Sequence, residues 1–170
     1  MDMIKVFNAI WDNVENIILS RIMERLNKNV SSVEEFDCVY QYATRNFKYG
    51  NLIEGQWIMD LKAHNEQKAN EFLCRLSKFR FQQVKYSQRS VFMGYVIAII
   101  AGILTSSLLM NFADLALYKD ILWGMFSTVV LSGILLPIFQ DKQRIAKEKV
   151  VEQYKQQLES HRDYLIESIM

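Results

Sequence analysis

Breakers and staples are scarce in this chain. It has a single proline, Pro137, and six glycines in 170 residues. No apolar/polar alternation runs for more than a few residues, so the segments read as helix almost throughout. Only two cysteines occur, Cys38 and Cys74, with no C-x-x-C pair and no His-rich neighbourhood. That excludes a disulfide framework and a Cys/His metal site, and both thiols are expected to be small, partly buried residues of a reducing compartment. Gly-rich phosphate loops, H-E-x-x-H and Gly-x-Ser-x-Gly are all missing, so no enzyme class, metal or cofactor is indicated. The adjacent Glu34 and Glu35 belong at a helix start, where acids complement the dipole, and not to an acid–base pair. Near the beginning, Asp2, Lys5, Asp12 and Glu15 interrupt the stretch where a signal peptide would need an apolar run.

The most telling absence is of charge. Residues 90–113 and 121–140 contain no Asp, Glu, Lys, Arg or His. At helical rise they reach roughly 36 and 30 Å, against a hydrocarbon core of about 30 Å. A soluble chain of this size has too little other apolar surface to bury two helices that are apolar all round. The expected fold is all-α: a membrane protein with a transmembrane hairpin over 90–140, N-terminal amphipathic helices within a cytoplasmic region 1–89, and a cytoplasmic helix over 141–170. Arg75, Lys78, Arg80, Lys85 and Arg89 precede the first span, and Lys142, Arg144, Lys147, Lys149 and Lys155 follow the second. The connector "DLALYKD" has one Lys against two Asp. Both termini are therefore expected to be cytoplasmic.

What is present has clear periodicity. Phe7, Ile10, Val14, Ile18, Ile22 and Leu26 form one apolar face, opposite Asp12, Glu15 and Glu24, and "NKNVSS" ends that helix. Ser32 and Glu35 have capping-box spacing for a second helix, "VEEFDCVYQYATRNF". Gly50, Asn51 and Gly55 are expected to interrupt next, after which nothing stops a helix until about residue 112. Pro137 should kink the second rod without ending it. Near the C-terminus, Val151, Tyr154, Leu158, His161, Leu165 and Ser168 or Ile169 alternate three- and four-residue steps, as in a helix–helix seam. His161 is its register-setting polar member, while His64 reads as a partly exposed bystander.

Within the spans, Gly94, Ala98, Gly102 and Ser106 recur every fourth residue, answered by Gly124, Thr128 and Ser132. Small residues at that spacing let backbones approach, either inside the hairpin or between subunits, and with Thr105, Ser107 and Ser127 they could face water in a pore. The lack of ionisable groups at membrane depth argues against carriers and voltage sensors, not against a wide unselective pore. "RLSKFRFQQVKYSQR" interleaves cations with aromatics; directly below a span, membrane-surface contact is the preferred reading over nucleic-acid binding.

HEPN-type nucleases use an Arg followed closely by a His, and "KQQLESH" is a degenerate version with Lys155 before His161. Length, two spans, an all-helical remainder and this segment together resemble the small membrane accessory proteins of type VI-B CRISPR RNA-guided RNases. The resemblance implies a homo-oligomeric pore or membrane-perturbing effector that assists antiphage defence, partnered by the lipid bilayer and functionally linked to an RNA-guided RNase. Lys155 and His161 are the positions carried over, and the missing Arg speaks against RNA cleavage. A non-conducting scaffold that recruits a cytoplasmic partner, and a membrane-tethered HEPN-like RNase, are the rival readings.

Overall fold

A computed structural model describes residues 3–50, 52–85, 89–112 and 117–170. Among them there are six helices and no strand: α1 (Met3–Asn27), α2 (Val33–Tyr49), α3 (Ile53–His64), α4 (Glu66–Lys78), α5 (Arg89–Phe112) and α6 (Leu117–Glu167). The chain divides into two compact units, one of Met1–Lys85 with Glu148–Met170 and one of Tyr86–Lys147. The C-terminal segment thus belongs to the same unit as the N-terminal helices.

In the first unit, the apolar face of α1 is buried as its spacing predicts: Phe7, Ile10, Val14, Ile18, Ile22 and Leu26 are all covered. Glu15 departs from the predicted polar face. It is buried too, and burial, helped by the neighbouring Glu159 and Asp12, raises its carboxyl pKa above the usual value against the opposing pull of Arg162 and Lys155. The helix ends on Asn29, at φ 60°. The Asn29 and Val30 N–H groups reach back to the Leu26 and Arg25 carbonyls, closing the helix with a Schellman motif.

The capping box expected at Ser32 does not form. Ser32 bonds Glu34 through its hydroxyl and makes no side-chain cap, while Glu35 pairs with Arg25 at 2.5 Å. Gly50 caps α2, and Asn51 lies outside the described residues. Gly55 is no interruption: it sits inside α3, where a Cβ would run into the Gly50 carbonyl, so its role is close approach. Phe7, Phe47, Trp57 and Phe72 bring α1, α2, α3 and α4 together in one aromatic cluster, with ring centroids 5.1–6.5 Å apart.

The expected unbroken rod after Gly55 is broken twice. Asn65 ends α3 and begins α4, its side chain accepting from the Lys68 N–H at 3.1 Å. Residues 79–85 then leave the helix altogether as a non-helical strap. The two cysteines are exposed, contrary to the expectation of partial burial.

In the second unit, α5 and the first part of α6 pack antiparallel: a Cβ on Gly94 would meet the Phe139 ring, and one on Gly102 would meet Thr128. Among the described residues one helical stretch, Leu122–Glu167, is long and apolar enough to cross a membrane, and Phe92–Thr105 is a shorter apolar helix. Residues 113–116 of the predicted first span and connector lie outside the described ones. α6 continues through Pro137, whose missing N–H leaves the Gly133 carbonyl without its helical donor.

Candidate functional site

The seam residues of α6 meet the N-terminal helices as their spacing predicts. Tyr154, Leu158, His161, Leu165, Ser168 and Ile169 are buried, with Val150 taking the covered position that Val151 was expected to hold. His161 is only 6% exposed. Its ring stacks on Phe79 with centroids 4.3 Å apart and meets Trp11 and Tyr40 edge-on at 5.9 Å.

The Tyr40 hydroxyl lies 2.9 Å from His161 Nε2 and donates to the Leu76 carbonyl at 3.1 Å. A hydroxyl has one hydrogen. With that hydrogen on Leu76, the oxygen accepts from Nε2–H, which assigns neutral His161 this tautomer. Burial pushes its pKa down to about 4 and pushes the Tyr40 hydroxyl well up. The Leu76 carbonyl is one of the orphans of the last turn of α4, so Tyr40 supplies the cap that lets the chain turn out into the strap.

The strap itself is pinned from two helices. Asp37 of α2 accepts from the Phe81 N–H at 2.9 Å. Gln157 of α6 does both jobs of a strand neighbour, accepting from the Gln82 N–H at 2.8 Å and donating to the Gln82 carbonyl at 3.2 Å. Phe79 and Phe81 turn inward, Phe81 packing against Tyr40 and Tyr154.

Between the strap, the end of α4 and α6 lies an open cleft of about 930 Å³. Arg75, Lys78, Arg80 and Lys85 line it together with Gln83, Gln153, Gln156, Ser160 and Tyr164, and His161 reaches its floor. Among the described residues no carboxylate lines it. Two of the cations are partly occupied. Arg75 pairs with Glu71, donates to the Tyr164 carbonyl at 2.6 Å and covers the Tyr164 ring at 4.1 Å; Arg80 sits 3.8 Å from Asp37.

Lys155 and His161 are not brought together. They stand six residues apart on one helix, about 120° around it. Lys155 pairs with Glu159 at 3.7 Å, whereas His161 faces the core. His64 is exposed, with Nδ1 2.9 Å from the Asp60 carbonyl.

Gly94, Ala98, Gly102 and Gly124 are buried and Thr128 is half-buried, placing them in the seam of the α5–α6 pair. Ser132 is half-buried; the side chains of Ser106 and Ser127 lie outside the described residues. Thr105, Ser107 and Thr128 donate their hydroxyls to carbonyls four residues back, at 2.8–3.1 Å.

Sequence reasoning missed the cleft. Read as helix, its cations fall at the foot of a continuous rod, and the signal against that is the brief alternation of Phe79 and Phe81 with polar residues. The comparisons add no relative: no family model, curated protein or solved structure matches the chain.

Proposed function

We propose that the chain is an integral membrane protein whose second unit inserts as a two-span hairpin, with both termini cytoplasmic, and whose copies assemble into a pore or membrane-perturbing effector. The observation that carries this reading is the outer surface of the α5–α6 pair. Phe92 (71% exposed), Ile99, Ile103, Leu104, Met125, Phe126, Val129 (70% exposed) and Ile134 leave large apolar side chains open along both helices. Such a surface is far beyond what a water-soluble monomer leaves exposed, and a bilayer together with neighbouring subunits would cover it. The link to RNA-guided antiphage defence rests on the family resemblance.

One observation favours the non-conducting scaffold as a second reading. Thr105, Ser107 and Thr128 bond their own helices, so these hydroxyls need no water to satisfy them. Two measurements on purified protein separate the readings. A discrete multi-subunit ring in mild detergent with dye leakage from proteoliposomes is the expected result. A monomer or dimer that leaves liposomes sealed would refute the pore and favour the scaffold.

A further inference from the structure

The first unit carries 15 Lys and Arg against 16 Asp and Glu, so it is close to neutral as a whole. Yet one cleft collects four cations, and no acid is among the described residues that line it. Lys78 and Lys85 make no ion pair among the described residues and are exposed, so their charge is available to a ligand. Gln83, Gln153 and Gln156 add exposed side-chain amides, each able to donate and accept. The walls are built rather than loose: Gln157, Asp37 and Tyr40 fix the strap, and the Arg75 guanidinium is held by Glu71, Glu167 and the Tyr164 carbonyl, so the unpaired charge is that of Lys78 and Lys85.

We propose that this cleft binds a small ligand carrying two or more phosphate groups. Lys78 and Lys85 would contact the phosphates as mobile point charges, and the forks of Arg75 and Arg80 would offer remaining N–H groups from fixed positions. The volume of about 930 Å³ is at the upper end of small-molecule sites and admits a nucleotide as well as an inorganic polyphosphate. A long nucleic acid fits less well. A polymer track needs a basic stripe across the domain, and the near-neutral balance of this unit confines the charge to one place. The proposal is independent of whether the second unit forms a pore.

The test uses the full chain in a neutral detergent and titrates inorganic triphosphate and ATP by calorimetry at low salt. The expected result is saturable binding of at least one probe, weakened by added salt and weakened at least about tenfold by the double substitution Lys78→Ala, Lys85→Ala. Both lysines are exposed, so the helical signal and melting temperature of the variant should match the parent. If ATP binds more tightly than triphosphate, the amides read the base, and Gln153→Ala with Gln156→Ala should bring ATP to the triphosphate level. Equal binding of the two places recognition on the phosphates alone and also supports the proposal. It is overturned if neither probe binds at millimolar concentration, or if the lysine variant binds as well as the parent. Binding only to a 20-nucleotide RNA, or only to phosphatidylglycerol vesicles, likewise overturns it and assigns the cleft to a polymer or to a membrane surface.

Discussion

His161 ties the stability of the helical unit to pH in a way that can be worked out from its surroundings. Trp11, Tyr40, Phe79 and Tyr164 surround the imidazole, and its hydrogen-bond partner among the described residues is the Tyr40 hydroxyl. Among the described residues no carboxylate pairs with His161, and burial pushes its pKa down to about 4 against an ordinary 6.5. Because the folded-state value is depressed, the unfolded chain binds a proton first as pH falls. Stability is therefore complete above about pH 6.5, declines between there and about 4, and levels off below. The displacement amounts to about 3 kcal/mol in full, of which about 2 kcal/mol is lost by pH 5. Glu15, whose carboxyl is raised, works in the opposite sense: its burial is relieved by protonation, so it returns some stability at acid pH. Comparison with His161→Gln cancels that contribution, since glutamine can still hydrogen-bond Tyr40 but does not titrate. Urea unfolding at pH 8 and pH 5, followed by Trp11 and Trp57 fluorescence in a Trp123→Phe background, reads the difference. The parent should lose about 2 kcal/mol more than the glutamine variant on acidification. Equal losses in the two proteins would show that His161 is not held neutral by its site.

Two further substitutions test the geometry of each unit. A methyl group at Gly102 would fall on Thr128, with the Gly124 carbonyl 3.4 Å away, so the α5–α6 pair must separate. Gly102→Ala should cost about 1–3 kcal/mol in detergent unfolding, whereas Gly133→Ala, which meets nothing within 4 Å, should be neutral or slightly stabilising. Equal effects at the two glycines would remove Gly102 from a close-packed seam. In the first unit, Gln157→Leu deletes both hydrogen bonds to Gln82. At about 1 kcal/mol for the pair in an exposed setting, hydrogen exchange of the Gln82 amide should quicken about fivefold while the amides of α1 stay unchanged; no change at Gln82 would mean that the strap is held by its phenylalanines alone.

Much of the architecture is legible where a local pattern and the final packing agree. The stripe from Phe7 to Leu26 repeats over more than five turns, and every member is buried. The seam from Tyr154 to Ile169 is equally regular, and its polar member His161 is buried with its neighbours. The breaks are where reading fails, because each is decided by particular side-chain hydrogen bonds and not by a repeating pattern. Asn65 is an ordinary residue in a helical pattern until its oxygen is seen to accept from Lys68. The capping box at Ser32 fails for the converse reason: Glu35 has the right spacing, but Arg25, ten residues back, takes its carboxylate.

The strap shows most clearly why the cleft was out of reach of the sequence. "FRFQQVK" contains no proline or glycine, and nothing local forbids helix there. Its non-helical form is decided by partners far along the chain: Asp37 forty-four residues before Phe81, and Gln157 seventy-five after Gln82. Tyr40 adds the third pin by taking the Leu76 carbonyl that a continued helix would have bonded to the Arg80 N–H. Had the helix continued, Lys78 and Lys85, seven residues apart, would still have shared a face, but Arg80 would have pointed about 160° away from Lys78, at about 100° per residue. Drawn out along α6, they share one cleft with Arg75. The same cations that read as a membrane-facing collar in a rod become, through three hydrogen-bonded pins, the lining of a bounded site.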